Sequence, residues 1–227
     1  MVEIPKMLVF MDVETTGLDA AKERIIEVFL LAIHRSGSVK EYETLINPER
    51  PIPPKITDLT GLTDQDVAQA PLEGKVAPEI RNFIGNGTPV AHNLPFDRRF
   101  LNALFQRNKL LEMNAAGIDT LALSRELFPR LCIYPQGGGS HRLGNLMYHF
   151  NLEDSYANAH RAKDDVLLLV EVFRHLQRYA AGKLETYPPA MTHGCPVCGS
   201  AMYVEFEEGK KVLSCRKEPS CRVRLVV

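Results

Sequence analysis

The sequence predicts an α/β protein, on the basis of its composition, its alternation of strand and helix patterns, and the placement of its cysteines. The 227 residues are 45% hydrophobic and 24% charged, which is typical of a globular protein and excludes intrinsic disorder. Apolar runs of strand length interleave with amphipathic helical patterns, which indicates helices layered on a sheet. Four of the five cysteines lie after residue 190, which marks off a separate C-terminal piece.

The domain prediction is a body over residues 1–185, a linker over 186–190 and a mini-domain over 191–227. A helical pattern ends near Gly182, and a stiff Tyr-Pro-Pro-Ala stretch follows at 187–190. The mini-domain is too short to form a stable core without disulfide bonds or a bound metal ion. The chain has no run of about 18 apolar residues and no export signal at its N-terminus. We therefore expect no membrane association and a cytoplasmic location.

The elements of the body follow from the spacing of apolar residues. Short apolar runs predict strands at 7–13, 25–34, 39–46 and 88–92, and a strand or turn near Ile118. Helical periodicity predicts helices at 76–84, 97–108, 120–128, 141–150 and about 162–180. Between the third strand and the first helix, Asn47-Pro48 and Pro51-Ile52-Pro53-Pro54 predict an extended loop.

The charge distribution narrows the class of protein further. The chain has 27 basic and 28 acidic side chains. Six of the basic and four of the acidic ones lie in the mini-domain, so the body has a small net negative charge. A mildly acidic body is not typical of a protein that binds DNA by bulk charge, but it suits an enzyme whose carboxylates hold cations.

Two carboxylates lie where the first strand ends. Asp12 and Glu14 are two residues apart, so on a strand they project from the same face with backbones roughly 7 Å apart. Taken alone, a solvated strand end explains such a pair best. Thr15, Thr16 and Gly17 follow directly and add hydroxyl groups and a flexible backbone beside the carboxylates.

Acidic residues also accompany two later helices. Asp97 ends the sequence His-Asn-Leu-Pro-Phe-Asp and begins a predicted helix, where an N-cap is the simpler role. His160 precedes the last long helix, and Asp164 and Asp165 lie in its first turn, where an acidic side chain also suits the helix dipole. Each signal is weak when it stands alone.

The three signals in this order resemble the DEDDh family of 3′–5′ exonucleases, which includes the proofreading epsilon subunit of DNA polymerase III. The resemblance covers nearly all of residues 7–180, and intermediate motifs fit as well: Asn47-Pro48 with Pro51-Ile52-Pro53, Thr60-Gly61-Leu62-Thr63, Ile118-Asp119-Thr120-Leu121 and His141-Arg142-Leu143-Gly144-Asn145-Leu146. It implies an RNase H-like fold, with a mixed central β-sheet flanked by helices and the carboxylates gathered at one edge.

The resemblance also implies the chemistry, which is hydrolysis of single-stranded DNA at its 3′ end with release of 5′-mononucleotides. Two Mg²⁺ or Mn²⁺ ions would be held by carboxylates, since hard cations prefer oxygen ligands. By resemblance, Asp12 bridges both ions, Glu14 and Asp165 hold one, and Asp97 supports the other. His160 is the general base, because the ordinary pKa of histidine suits proton transfer near neutrality. The family spacing selects Asp165 over Asp164.

Substrate contacts are predicted around the same motifs. Thr15, Thr16 and Gly17 would read the terminal 3′-OH, Leu18 and Phe96 would stack or wedge against the last bases, and Asn93 would contact sugar or phosphate. Core packing is the alternative for Leu18 and Phe96. His92, His141 and His149 are interpreted as structural or left unassigned.

The C-terminal cysteines resemble a zinc ribbon. A predicted hairpin with strands at 201–206 and 211–214 is flanked by Cys195, Cys198, Cys215 and Cys221. A structural Zn²⁺ bound by these cysteines would supply the stability that so short a segment lacks. The second pair has C-x5-C spacing and so departs from the usual C-x2-C. Disulfides are the alternative, disfavoured in the cytoplasm. The ribbon's basic side chains suit either solvation or docking to nucleic acid or protein.

Two rival functions stay open. A 3′–5′ exoribonuclease has the same motifs, because the sequence does not show whether a 2′-OH is accommodated. A non-catalytic nucleic-acid-binding or scaffold protein is the rival from another class, although clustered carboxylates repel one another without metal and have no use in a scaffold. The partners expected by resemblance are single-stranded DNA 3′ ends, with RNA as the alternative, and a DNA polymerase or another replication or repair protein.

Overall fold

A computed structural model describes most of the body and the backbone of three tail strands. The described residues are 5–113, 116–129, 131, 133, 134, 137, 139–156, 158, 160–181, 202–207, 210–215 and 224–226, the last three ranges by backbone alone. The chain divides into two compact units, Met1–Leu123 with Asn158–Val170, and Ser124–Ala157 with Glu171–Val227. The first unit contains every residue of the predicted exonuclease site.

The described elements follow the predicted order. The strands of the body are β1 Met7–Thr15, β2 Ile25–His34, β3 Val39–Leu45, β4 Thr88–Ala91 and β5 Ile118–Asp119. The helices are α1 Pro54–Thr60, α2 Asp64–Val67, α3 Glu73–Ile84, α4 Leu94–Arg107, α5 Thr120–Leu127, α6 Leu143–His149 and α7 Ala162–Ala180. The predicted strands agree with the observed ones to within two residues.

The strands of the first unit form one mixed five-stranded sheet in the order β3-β2-β1-β4-β5. The pairs β1–β2 and β2–β3 are antiparallel, whereas β1–β4 and β4–β5 are parallel. The predicted mixed central sheet is therefore confirmed. β1 is a central strand, and it carries the first two carboxylates of the predicted site.

Two apolar clusters fix the sheet between its helices. The larger one joins alternate residues of β1, including Met11 and Val13, to the apolar faces of α3 and α4. The smaller cluster joins Ile26 of β2 to Ile52, Leu62 and Val67. Neighbouring residues of a strand project to opposite faces, so β2 contributes to both clusters and is buried along nearly its whole length.

Three predictions about helices need correction. The loop predicted around Pro51–Pro54 is extended only at its start, because Pro54 occupies the first turn of α1, where a proline loses no helical hydrogen bond. The four-residue helix α2 was also missed, although Thr63 and Asp66 form its capping box. The helix predicted from Asp97 begins instead at Leu94, so Asp97 is not an N-cap residue.

The second unit has its own aromatic cluster. The rings of Phe128 and Tyr179 lie 4.4 Å apart between centroids, and Phe128 also contacts Phe150 and His149 edge-on. Burial lowers the pKa of His149 to about 4, so this histidine is neutral at physiological pH, in agreement with its structural interpretation.

The tail is described only in part. The strands β6 Met202–Glu207, β7 Lys210–Cys215 and β8 Arg224–Val226 form an antiparallel sheet, so the predicted hairpin is present and a third strand was missed. Cys195, Cys198 and Cys221 lie outside the described residues, as do the predicted linker and the side chain of Cys215. The domain boundaries and the zinc site stay predictions.

The helices in the described part of the chain are all too short or too polar to cross a membrane.

Candidate active site

β1 presents two carboxylates on one side and its core residues on the other. Met11 and Val13 are buried in the main apolar cluster, while Asp12 and Glu14, which alternate with them, are half-buried on the opposite face. The pairing of β1 with β2 shifts register directly after Glu14. Such a bulge ends regular pairing and re-aims the residues beside it, and it separates the two carboxylates from the turn that follows.

A third carboxylate reaches Asp12 and Glu14 from the start of α7. Oxygen atoms of Asp12, Glu14 and Asp165 all lie within 4.8 Å of one another, and we call these three residues the carboxylate cluster. Asp165 is buried, whereas Asp164 beside it is exposed. The structure therefore gathers the aspartate that the family spacing selects and leaves its neighbour in solvent.

Asp97 approaches the carboxylate cluster from the first turn of α4. Its side chain is only 2% exposed, and the backbone N–H of Val13 donates a hydrogen bond to its carboxylate. The other oxygen, Oδ1, is buried without a hydrogen-bond partner among the described residues. Buried oxygens are normally satisfied, so an unsatisfied carboxylate oxygen at this place is suited to receive a cation.

Burial and mutual repulsion disfavour the charged forms of these groups. The pKa of Asp12 is raised well above its ordinary value, first by burial and then by the charges of Asp97, Glu14 and Asp165. Burial, followed by Asp165 and Glu27, raises the pKa of Glu14 to about 8. Burial also raises the pKa of Asp97 to about 8. Carboxylates that repel one another in this way need a positive partner to ionise at neutral pH.

His160 occupies the turn that leads into α7. It is exposed, and its φ of 50° lies in the left-handed region, which is uncommon for residues other than glycine. It does not belong to the group of ligand atoms within 4.8 Å of one another, and neither does Asp97. The structure therefore brings three of the five predicted catalytic residues into one cluster and places the other two on the elements that border it.

The threonines after β1 are committed to the turn that they form. The Thr15 hydroxyl donates to the carbonyl of Gly17 at 2.6 Å. The buried Thr16 hydroxyl donates to Glu23 at 2.5 Å and accepts the backbone N–H of Arg24 at 3.0 Å. Their predicted contacts with a 3′-OH thus compete with internal hydrogen bonds.

Gly17 is packed closely against the same glutamate. A Cβ atom added at Gly17 would lie 2.9 Å from Cγ of Glu23, which is closer than real Cβ atoms approach another side chain. The absence of a side chain at Gly17 therefore lets Glu23 close the turn.

The remaining predicted substrate residues differ in exposure. Leu18 is 81% exposed, so it is not a core residue. Phe96 is half-buried, packs against the main apolar cluster, and has its ring 4.9 Å from that of Phe100. Asn93 is exposed with a φ of 74°, and its backbone N–H donates to Asp119. The core-packing alternative thus fails for Leu18 and describes Phe96 in part.

A groove of about 460 Å³ begins at Leu18. Leu18, Asp19 and two alanines form one wall, and residues of α4, including Arg98 and Arg99, form the other. Arg98 and Arg99 directly follow Asp97 in the chain. The groove therefore adjoins the turn that leaves β1 and the helix that carries Asp97.

Glu27 is a residue of the site that was not predicted from the sequence. This residue lies opposite Glu14 in the β1–β2 register and is 3% exposed. It forms a bidentate ion pair with Arg161, in which Nη2 of Arg161 lies 2.6 Å from Oε1 of Glu27. The available signal was one acidic residue inside the otherwise apolar stretch 25–33, because charges are rarely buried without a specific partner.

Comparison with known proteins identifies the family. The family model described as "Exonuclease" matches residues 9–173. The chain therefore belongs to the exonuclease family. The predicted resemblance to 3′–5′ exonucleases related to the epsilon subunit of DNA polymerase III is confirmed, and so is the predicted enzyme class, a 3′–5′ exonuclease.

Two relatives and one solved structure show the extent of the likeness. The epsilon subunit of DNA polymerase III from Treponema pallidum is 36% identical over 162 residues, 71% of this chain and 72% of that protein. The PolC-type DNA polymerase III of Bacillus subtilis is 36% identical over 178 residues, 77% of this chain but only 12% of that protein. Escherichia coli exonuclease I, solved with a dT13 oligonucleotide, superposes with a TM-score of 0.66 at 18% identity over 92% of this chain and 55% of that one. The last likeness concerns the fold, and it confirms the predicted RNase H-like architecture.

Proposed function

We propose that the protein hydrolyses single-stranded DNA from its 3′ end and releases 5′-mononucleotides. One observation carries the proposal: carboxylate oxygens from β1 and α7 lie within 4.8 Å of one another in a chain of the exonuclease family. Mutual repulsion makes this arrangement unfavourable by itself. It becomes favourable when cations and a phosphodiester occupy the site.

The residues present fit divalent cations. Asp12, Glu14 and Asp165 offer three carboxylates to one point, and Asp97 offers a buried oxygen without a hydrogen-bond partner in the described part of the chain. An all-oxygen ligand set favours Mg²⁺ or Mn²⁺ over softer metals. Two such ions, held by these four residues, would supply Lewis-acid activation of water and would neutralise charge on the phosphodiester.

The side chains around the cluster have separate roles in the proposed reaction. The exposed imidazole of His160 takes a proton from the attacking water at a ring nitrogen, so that the water oxygen forms a bond to phosphorus. The bond from phosphorus to the 3′ oxygen of the preceding nucleotide breaks, and that oxygen takes up a proton from solvent water to become the new 3′-OH. Because the bond that breaks joins phosphorus to the 3′ oxygen, the phosphate stays on the 5′ oxygen of the last nucleotide, which is released as a 5′-mononucleotide.

The strand on the 5′ side of the reacting linkage would leave the site through the groove beside Leu18. An exposed leucine offers an apolar surface to a base, which suits binding without sequence preference. Arg98 and Arg99 on the opposite wall provide positive charge for backbone phosphates. The exonuclease I structure named above contains a single-stranded oligonucleotide, which supports single strands as the substrate class.

We extend the proposal to a role in proofreading or repair, with a DNA polymerase as partner. The two relatives are a subunit of DNA polymerase III and a PolC-type polymerase. In the second relative the matching segment is a small part of a much longer chain.

We retain the prediction that Cys195, Cys198, Cys215 and Cys221 bind one structural Zn²⁺. Four thiolates complete a tetrahedral zinc site. Elemental analysis of protein purified without chelator should give about one zinc per chain, and replacement of Cys195 and Cys198 by serine should remove it. A zinc-free wild-type protein would refute the prediction.

The decisive test compares 5′-labelled DNA and RNA oligonucleotides of the same sequence, with Mg²⁺, with Mn²⁺ and with EDTA. The proposal predicts a ladder that shortens from the 3′ end of single-stranded DNA, 5′-mononucleotides as products, and no cleavage in EDTA. Faster degradation of the RNA would favour the exoribonuclease alternative. Binding without cleavage under every metal condition would favour a scaffold.

A further inference from the structure

We propose that Glu27 is a positioning residue of the exonuclease site, which orients Asp165 and His160 by holding the start of α7. This inference rests on the proposed function. Glu27 lies on β2 and is remote in sequence from both residues that it would position. The links to Asp165 are hydrogen bonds observed in the first unit, and the link to His160 passes through its chain neighbour Arg161.

The first link joins Glu27 to the residues directly after His160. The guanidinium of Arg161 donates from Nε to both carboxylate oxygens at 3.1 Å and from Nη2 to Oε1 at 2.6 Å. The backbone N–H of Ala162, the first residue of α7, donates to Oε2 at 2.9 Å. Glu27 therefore binds a side chain and a main-chain donor of two consecutive residues, which fixes both the position and the direction of the helix start.

The second link passes from Arg161 to Asp165. The backbone N–H of Asp165 donates to the carbonyl of Arg161 at 3.0 Å, which is the first hydrogen bond of the α7 spiral. Asp165 lies within this first turn, and its carboxylate meets those of Asp12 and Glu14. A shift or rotation of residues 161–162 would therefore move the Asp165 carboxylate relative to β1.

The third link concerns His160, whose φ of 50° is left-handed. A residue other than glycine keeps such a conformation only where the surrounding structure imposes it. The adjacent residue, Arg161, is anchored on a buried carboxylate, and this anchor limits how far the turn can relax. Loss of the anchor would let His160 leave the orientation in which it can act on water.

A direct role of Glu27 as another metal ligand is the competing interpretation. Both of its oxygens already accept hydrogen bonds from Arg161 or Ala162, and it does not belong to the group of ligand atoms that lie within 4.8 Å of one another. The two interpretations differ in their consequence for Arg161. A positioning role requires the arginine, whereas a ligand role does not.

The experiment compares Glu27→Gln, Arg161→Gln and Arg161→Lys with the wild type, and Lys163→Met is the matched control. Lys163 lies in the same turn of α7, but its ion pairs with Glu43 and Glu41 are exposed. Three quantities are measured: kcat and KM on a 5′-labelled single-stranded DNA, Mn²⁺ affinity from electron paramagnetic resonance without substrate, and folding by circular dichroism and thermal melting.

We expect Glu27→Gln and Arg161→Gln to lower kcat about 10- to 100-fold, as is typical when a residue that orients a metal ligand is removed. We expect Mn²⁺ affinity to fall about tenfold in both variants, and KM to change little because neither residue lines the groove proposed for the substrate. Arg161→Lys should be intermediate, since lysine keeps the charge but loses the bidentate geometry. Lys163→Met should match the wild type.

The possible results distinguish a failure of the positioning role of Glu27 from a failure of the proposed function. If the wild type cleaves DNA and both glutamine variants match it in kcat and Mn²⁺ affinity, the positioning role is overturned and the proposed function stands. If only Glu27→Gln loses Mn²⁺ affinity, Glu27 is a ligand and the inference is also overturned.

A wild type that binds Mn²⁺ but does not cleave DNA would refute the proposed function. In that case Mn²⁺ affinity alone decides the role of Glu27. If Glu27→Gln fails to fold, Arg161→Gln carries the comparison, because the Arg161 side chain is 42% exposed.

Discussion

Shielded carboxylates occur in two regions of the first unit, and their surroundings differ. Near the start of α3, Glu73 is half-buried, and a bidentate contact with Arg107 at 2.9 Å balances its charge. Arg24 lies 3.9 Å from the same carboxylate. At the end of β1, Asp12 and Glu14 face Asp165, and for Glu14 burial and the repulsion of neighbouring carboxylates outweigh the attraction of Arg161. In the first region arginine side chains balance the negative charge, whereas the second region keeps a negative charge that a divalent ion can balance.

This difference separates carboxylates whose charge is already paired from carboxylates that can receive a cation. A carboxylate paired with arginine stabilises the fold and gains nothing from an added cation. A cluster of carboxylates that repel one another costs folding free energy, and this cost is recovered when a divalent ion binds. Substitutions in the first region should therefore lower stability and leave activity unchanged, whereas substitutions in the second should lower activity without lowering stability.

The largest expected effect is the loss of activity in Asp12→Asn. Removing a central charge of the carboxylate cluster should lower kcat about 1000-fold or more, which corresponds to at least about 4 kcal/mol of transition-state stabilisation. The free energy of unfolding without metal should stay equal or increase, because one repelling charge is gone. Steady-state kinetics and urea unfolding in EDTA measure the two quantities. An active Asp12→Asn variant would remove the carboxylate cluster from the mechanism.

The next effect is a pH dependence of stability in EDTA. The pKa of Glu14 is about 8 in the folded chain and near 4.5 when unfolded, so the native state binds the extra proton. Stability therefore falls as pH rises from the unfolded towards the folded pKa. His149, with a pKa of about 4, works in the opposite direction only below pH 6.5.

The window for this measurement is therefore pH 6.5 to 8, where Asp12 and Asp97, whose pKa values are also raised, act in the same direction as Glu14. Thermal melting in EDTA should show decreasing stability there for the wild type and a shallower decrease for Glu14→Gln. Mn²⁺ at about 100 times its dissociation constant should add about 2.7 kcal/mol to the wild type and less to the variant. Equal slopes in the two proteins would contradict the assigned pKa shift.

In the structural region, Arg107→Ala should lower stability without affecting the reaction. The loss of hydrogen bonds to a charged group should cost about 1–2 kcal/mol, and kcat should remain within twofold of the wild type. Chemical unfolding and oligonucleotide cleavage check the two halves of the expectation. A large fall in kcat at unchanged stability would mean that the two regions are coupled.

The smallest effect is expected in the groove. Arg99→Glu should raise KM for a single-stranded oligonucleotide about fivefold and make binding less sensitive to salt, since one phosphate contact is replaced by repulsion. Arg35→Glu is the matched control, because Arg35 follows β2 at the end of the sheet away from Asp12. Equal KM values for the two variants would remove the groove from the substrate path.

The sequence predicted most of the sheet because strands are local patterns. The stretch 25–34 is apolar enough to be buried on both faces, and its bounds were predicted correctly. The helices α1 and α2 were missed because they are short and begin beside prolines or a capping threonine. At that length, a loop and a helix have nearly the same sequence signal.

The carboxylates were found from motif order, but their surroundings required the fold. In the sequence, Asp97 has the residue type expected of an N-cap at the start of a helix. In the structure α4 starts earlier, directly after Asn93, which has a left-handed backbone. Glu27 and Arg161 lie 134 positions apart, so no local pattern links them. Thr16 and Glu23 were likewise not recognisable as a pair, because their hydrogen bond depends on how the turn closes.

The alternation along β1 also limits how this strand can change in length. Residues at odd positions, such as Met11 and Val13, belong to the apolar interior, and the acids lie at even positions between them. Inserting or deleting a single residue ahead of Asp12 would exchange the two faces, driving both acids into hydrocarbon and turning the interior side chains towards solvent. Length variation in this strand should therefore be tolerated only in steps of two.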